Sequence, residues 1–232
     1  MDKRPSIIGS MFDRIAPTYD VVNRILSFSL DKAWRRAAVN LLEIRTGDAV
    51  LDIATGTGDL AIPAVRRGGN VIGIDLSRQM LLRALRKAQE QALRTRYYVV
   101  QSDALSMPFR NETFNSAMVA FGIRNMDNLE AFLAEIHRVL SVNGRFSVLE
   151  FSLPESSLFR WIYGAYLTYV VPIIGGLISG DYDTYRYLRD SVAGFPAPRM
   201  LEGMMEGQGF RVVRSRPIFW GISHLYLIEK QG

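Results

Sequence analysis

Residues 50–61, VLDIATGTGDLA, constrain the fold more than any other stretch. An apolar run that turns on Gly56 and Gly58 straight into a helical pattern reads as a short strand buried on both faces, the kind found inside parallel sheets. The chain then alternates. A helix over 59–67 is followed by a strand over 70–75, a helix from 78 to about 93, strands over 96–101 and 114–120, a helix over 128–140 and a strand over 145–152. Repeated units of this sort wind into a doubly wound sheet with right-handed crossovers. After a helix near 199–206, the last two strands, 210–220 and 222–230, are separated only by a turn at Gly221 and must pair antiparallel. The expected fold is an α/β, Rossmann-like sandwich whose mostly parallel seven-stranded sheet is closed by an antiparallel hairpin.

With 232 residues, against roughly 150 per domain, the chain reads as a single domain. Residues 1–45 form a helical cap, 46–152 a cofactor-binding half, 153–209 a helical insertion on the substrate side and 210–232 the closing hairpin. Within the insertion, residues 161–178 carry no charge and would be long enough as a helix to cross a bilayer. Pro172, Gly164, Gly175 and Gly176 interrupt them, and the closing hairpin has to return to the same sheet, so a cover over an apolar pocket is expected rather than a span. The absence of Cys excludes disulfides, a thiol nucleophile and thiolate metal sites. His137 and His224 lie too far apart in sequence to suggest a metal cluster, and both read as structural.

The glycine loop alone is weak evidence, because Gly56, Gly58 and Ala61 also satisfy a loosened dinucleotide pattern. The neighbouring acids decide the matter. Pyrophosphate seeks helix N-terminal amides and no adjacent carboxylate, yet Asp52 precedes the loop and Asp59 follows it. A cationic amino-acid ligand fits better, and S-adenosylmethionine, with its ammonium and sulfonium, is one. Asp75, ending the second strand, is placed to accept from both ribose hydroxyls, and Asp103, after the third, from the adenine amine, with the Ala104 amide offered to the ring. Thr57, Leu76 and Ala120, at the same strand ends, complete the expected cofactor contacts.

Three further stretches give the chain a likeness to a known family. The first is Tyr19, Asp20, Asn23, Leu26, Ser27 and Trp34; the second is FGIRN, Phe121 to Asn125; the third is Arg138, Val139, Leu140, Gly144, Glu150 and Ser152. From about residue 11 to 229 the chain resembles the UbiE/MenG quinone C-methyltransferases and, with them, the class I methyltransferase fold. It departs from their pattern at Val22, Asp31, Ser141 and Asn143, where the family has Met, His, Lys and Gly. The resemblance implies methyl transfer from S-adenosylmethionine to a ring carbon of a prenylated quinol such as demethylmenaquinol. A benzoquinol of ubiquinone biosynthesis, or another lipid such as a phospholipid amine, is the alternative acceptor. It also implies Arg124 and Asn125 as catalytic residues acting through a bound water, with Tyr19 beside them.

Arg124 keeps its charge at any accessible pH, so next to the acceptor it stabilises a developing phenolate. The formal charge of +5 suits an anionic membrane surface or nucleic acid but is also common in proteins that touch neither, while the cations Arg83, Arg86, Lys87, Arg94 and Arg96 read as a solvated helix face. Trp161, Tyr163, Tyr166 and Tyr169 are suitable interfacial side chains, with ordinary packed core as the equal alternative. The start of the sequence has no long apolar core ahead of a cleavage site, so the expected compartment is the cytoplasm; a bilayer-resident acceptor would add peripheral contact with the inner face of the cell membrane. Nucleic acid is not expected as a partner, and self-association into a homo-oligomer is left open.

Overall fold

Seven strands form one sheet in the computed structural model, which describes residues 2–232; Met1, within the expected cap, lies outside the described residues. The strands are β1 (Ala49–Ile53), β2 (Asn70–Asp75), β3 (Tyr97–Gln101), β4 (Phe114–Ala120), β5 (Leu140–Phe151), β6 (Phe210–Ile218) and β7 (Ser223–Lys230). Their order across the sheet is β3-β2-β1-β4-β5-β7-β6, and only β7 runs against its neighbours. Strand order reverses at β1, which pairs with β2 on one side and β4 on the other. Crossovers leave in opposite directions from that point and open a crevice at the carboxyl edge of the sheet.

The double burial expected of β1 follows from its alternation. Leu51 and Ile53 face the cluster under α6 (Leu129–Val139) and α10 (Pro198–Gly207), built on Phe132, Leu133, Ile136, Leu201 and Met205. Val50 faces the opposite cluster, under α3 (Leu30–Leu41), α4 (Ala61–Arg66) and α5 (Arg78–Glu90), where Trp34, Ala38, Val39, Ala64 and Ala84 meet. By the same period Asp52 points to the α3 side. β5 begins earlier than expected because α6 runs directly into it: Leu140 pairs with Phe114, and a register shift then carries the chain past Asn143, at φ 61°, into the main ladder. The turn residues VNG are thus an irregularity inside a strand rather than its boundary.

α1 (Pro5–Ile15) and α2 (Tyr19–Leu26) precede α3 and cover the carboxyl edge. Asp13 of α1 accepts from Ser77 Oγ at 2.6 Å and from Gln79 N–H at 2.9 Å, fastening α1 to the start of α5. In the insertion, α7 (Ser157–Ala165), a π-helical turn (Tyr166–Val170) and α8 (Val171–Ser179) make one continuous helical run of 23 residues, followed by α9 (Tyr182–Ala193). The π turn ends two residues before Pro172, which has no N–H to give and crowds the carbonyl one turn back, so the helix widens there. Tyr163, Leu167 and Val171, four residues apart, bury against Val22, Tyr185 and Val192. Gly175 and Gly176 are required by contact with α9, since a Cβ would lie 2.5 Å from the Tyr185 ring or 2.1 Å from Tyr182. The uncharged stretch therefore commits one face to protein and leaves the other, with Trp161, Tyr169, Ile173 and Leu177, in the open.

Candidate active site

The chain leaves β1 through Ala54 at φ 49°, Gly56 at φ 55° and Gly58 at φ 81°, so the loop curls back over the strand ends. Gly56 N–H donates to Asp75 Oδ2 at 2.9 Å and Ser77 N–H to Asp75 Oδ1 at 2.8 Å, which lashes the loop to the end of β2. Thr55 Oγ1 donates to Asp52 Oδ2 at 2.5 Å and meets Tyr97 Oη at 2.8 Å, while the buried Asp52 Oδ1 has no partner among the described residues. Burial pushes the Asp52 carboxyl up to about 7, against the pull of the Thr55 hydrogen bond and the Arg35 charge. Asp75 is pushed up to about 6 by burial, opposed by the Ser77 and Gly56 amides.

Above this loop lies a cavity of about 70 Å³ whose wall includes Gly56, Asp75, Leu76, Asp103, Ala104, Ala120 and Asn125, with Ile8 and Phe12 of α1 as its roof. Asp103 Oδ1 accepts from Leu105 N–H at 2.9 Å, so the same acid shapes its turn and faces the cavity. Three of the expected cofactor residues are not on that wall. Asp52 sits beneath the loop, Thr57 is buried and donates to Asp20 Oδ1 at 2.6 Å, and Gly58 packs against Tyr97 and Ala84.

Asp59 is not free for a cation either. It pairs with Lys87 at 2.7 Å and Arg24 at 2.6 Å. Its burial is outweighed by the charges of Arg35 and Lys87 and by hydrogen bonds from Lys87 and Arg24, which hold its carboxyl at about 2. Lys87, read from the sequence as part of a solvated face, is instead turned inward onto Asp20, Asp59 and Thr57.

A second cavity, of about 360 Å³ and almost wholly apolar, lies under the insertion. Trp34, Phe121 and Phe151 form its floor; Tyr163, Tyr166 and Leu167 of the helical run and Tyr185, Tyr187 and Leu188 of α9 form its walls. It opens between Phe28, Ile162 and Trp220, all of them exposed. Phe12, Tyr19 and Phe121 line both cavities, so the two abut across three aromatic side chains. The Phe12 and Tyr19 rings meet edge to face at 6.2 Å.

Arg124 lines the apolar cavity but does not present a bare charge to it. Its Nη1 donates to Glu150 Oε1 at 2.9 Å and to the Phe121 carbonyl, its backbone N–H donates to Glu150 Oε2 at 3.1 Å, and its guanidinium lies 5.2 Å from the Phe151 ring centre. Asn125 lines the smaller cavity and accepts from Tyr187 Oη at 3.1 Å, which links the two chambers. Sequence reasoning gave Glu150 no chemical part and did not single out Phe12 or Tyr187. Glu150 stood within a quoted motif and Tyr187 within the expected substrate-side insertion, whereas Phe12 reaches the site through a helix whose placement no local pattern announces. His137 packs edge-on to Phe210 and His224 bonds to Ser215, away from both cavities.

Residues 1–229 match the ubiE/COQ5 methyltransferase family. The chain belongs to that family. It is 43% identical to a demethylmenaquinone methyltransferase of Thermus thermophilus, over 95% of this chain and 100% of that one. It is 46% identical to a ubiquinone/menaquinone biosynthesis C-methyltransferase UbiE of Syntrophotalea carbinolica, over 97% and 92%. Among solved structures it resembles a SAM-dependent methyltransferase of Aquifex aeolicus, with a TM-score of 0.62 and 17% identity over 89% and 92% of the two chains. A SAM-dependent methyltransferase of Thermotoga maritima gives a TM-score of 0.66 and 21% identity over 96% and 99%. These structural likenesses carry the fold alone, whereas membership of the ubiE/COQ5 family makes the chain a methyltransferase and removes the dinucleotide reading of its glycine loop.

Proposed function

We propose that this methyltransferase moves the methyl group of S-adenosylmethionine to a ring carbon of a prenylated quinol, with demethylmenaquinol as the acceptor. The observation that carries the reading is the adjacency of two unlike chambers, one lined by strand-end carboxylates and the other by aromatic and aliphatic side chains, meeting at Phe12, Tyr19 and Phe121. The residues fit the donor: Asp75 and Asp103 face the smaller chamber to receive ribose and adenine, and the orphaned Asp52 Oδ1 lies behind the loop as an acceptor for a cation. With α1 down, that chamber is about 70 Å³, far below the 300–1,000 Å³ of ordinary ligand sites, so α1 lifts to admit the donor and closes over it.

When bound, S-adenosylmethionine supplies an electrophilic methyl group on a cationic sulfur. The chain's own residues align and polarise the acceptor. Phe121, Phe151 and Trp34 hold an aromatic ring against the shared wall, and fixed alignment of this kind can contribute several kcal/mol. Arg124, its position fixed by Glu150, stabilises negative charge on the quinol oxygen as the hydroxyl proton leaves. Asn125, held by Tyr187, positions the water that takes that proton, and Tyr19 orients the acceptor at the boundary.

The open mouth between Phe28, Ile162 and Trp220 accommodates the isoprenoid tail. Exposed Trp161, Tyr169, Ile173 and Leu177 on the same helical insertion suit peripheral contact with a bilayer, where aromatic side chains settle at the headgroup level. The test is incubation of the purified protein with methyl-labelled donor and either demethylmenaquinol or the demethylated benzoquinol precursor of ubiquinone. Label on a ring carbon of the naphthoquinol is the expected outcome. Label on the benzoquinol alone moves the substrate to the ubiquinone pathway, and label on neither removes the reading.

A further inference from the structure

A run of aromatic rings drawn from distant parts of the sequence leads from the wall shared by the two chambers to the protein surface. Phe151, at the end of β5, stacks on Phe121 with 4.4 Å between ring centres. Phe121 meets Trp34 of α3 at 6.4 Å, Trp34 meets Phe219 of the turn between β6 and β7 at 5.9 Å, and Phe219 meets Trp220 at 4.7 Å. The last step crosses to α7, where Phe159 lies 5.4 Å from Trp220 with the two rings within 11° of parallel. All of these side chains line the apolar cavity.

The outer rings, Phe219, Trp220 and Phe159, are exposed, Trp220 by 66%, so burial within the chain does not account for them. Nor does the backbone favour them. Phe219 at φ 47° and Trp220 at φ 55° are both left-handed, and so, elsewhere on the rim of the mouth, is Phe28 at φ 51°. A bulky side chain is unfavourable in that region, where glycine or asparagine is at ease. Strain of this kind persists only where surrounding contacts over-determine it, and it collects at ligand clamps. Here Ser152 fixes the turn, its Oγ donating to the Gly221 carbonyl at 2.7 Å and its N–H to the Ile222 carbonyl at 3.0 Å. At about 360 Å³ the cavity lies near the small end of the range for drug-sized ligands, so a ring held against Phe121 leaves room inside for only the start of a hydrocarbon tail. Rigid aromatic faces at the exit give a branched, unsaturated chain a large apolar contact at low cost in side-chain entropy. We infer that Phe219, Trp220 and Phe159 form a collar that grips the first isoprene units of the acceptor and so determines its selection for a tail. This rests on the prenylated-quinol reading and names the side chains that tell a tailed quinol from a bare one.

The test varies the tail and the collar together. Methyl transfer by the full chain is followed as kcat/KM on demethylated naphthoquinols carrying no, one, two, three or four isoprene units, for the wild type, for Trp220→Asn and for Trp220→Asn combined with Phe159→Ala. Wild-type kcat/KM is expected to rise ~10-fold or more over the first two units, as apolar area is buried, and then to level off. In the double variant the preference for the two-unit acceptor over the bare one falls ~10-fold, through KM rather than kcat. Trp220→Asn, whose new side chain suits the left-handed turn, loses part of that preference. Affinity for S-adenosylhomocysteine, which binds away from the collar, stays that of the wild type and certifies the fold of each variant. A wild type indifferent to the tail overturns the collar, as does an undiminished preference in either variant that still binds S-adenosylhomocysteine. So does a loss confined to phospholipid vesicle binding, which gives these rings to the bilayer surface, or an equal loss on the bare acceptor, which gives them to packing. If the wild type methylates none of the naphthoquinols, it is the acceptor reading that falls.

Discussion

Arg124 and Glu150 form a pair in which both members are buried, so neither can be removed without stranding the other. Arg124→Ala is expected to cost about 3–5 kcal/mol of stability, read as a lowered Tm, before any effect on chemistry is counted. Arg124→Lys keeps a charge for Glu150 but loses the planar fork. It should fold, bind S-adenosylhomocysteine as the wild type does, and turn over quinol ~100-fold more slowly in single-turnover assays; an unaffected rate would strip Arg124 of its part in the reaction. Asp52 and Asp75 give a pH signature. Their carboxyls, pushed up to about 7 and about 6 from 3.8, hold protons in the folded chain that the unfolded chain has released. Their contribution to stability is therefore full below about pH 4 and is lost as the pH rises through about 6 to 7. A bound donor favours the ionised carboxylates, so affinity for S-adenosylhomocysteine should climb between about pH 5 and about pH 8 with release of protons. Calorimetry in buffers of different ionisation enthalpy reads both, and affinity that falls across that range would contradict the assignment. That Gly56, Asp75 and Asp103 share one cavity wall was legible because strand ends bring them together in register. The pairing of Arg124 with Glu150 was not, because it joins the turn after β4 to the end of the neighbouring β5, and no spacing in the sequence encodes its distance.

Among the elements, the alternating strands and helices from β1 to β5 could be read from periodicity because each carries its own apolar pattern and its own turn. The insertion could not be read so fully. A run apolar on every side has no face to read, and only its contact with α2 and α9 shows why Gly175 and Pro172 are where they are. α1 has a clear apolar stripe, but its position as the roof of the smaller chamber depends on Asp13 reaching α5. Because that chamber is too small with α1 down, amide exchange in residues 5–15 should be fast in the free protein and slow several-fold on binding S-adenosylhomocysteine. Measured by mass spectrometry, equal protection with and without ligand would show that the donor enters by another route.

Taken whole, the molecule sets a carboxylate-lined edge of a parallel sheet against a greasy chamber whose outer helices turn apolar side chains outward. Trp161→Glu combined with Leu177→Glu should weaken binding to phospholipid vesicles ~10-fold or more, since both side chains are mostly exposed. Activity on a short-tailed, water-dispersed quinol should remain; loss of that activity as well would make the outer face part of the protein's own packing. The adjacency of the two chambers is tested most directly by a crystal structure with S-adenosylhomocysteine and a short-tailed demethylnaphthoquinone bound together. The account predicts the ligand sulfur facing a ring carbon across the wall of Phe12, Tyr19 and Phe121, with the tail leaving past Phe28 and Trp220. A quinone seated elsewhere, or a nucleoside bound away from Asp75, would contradict it.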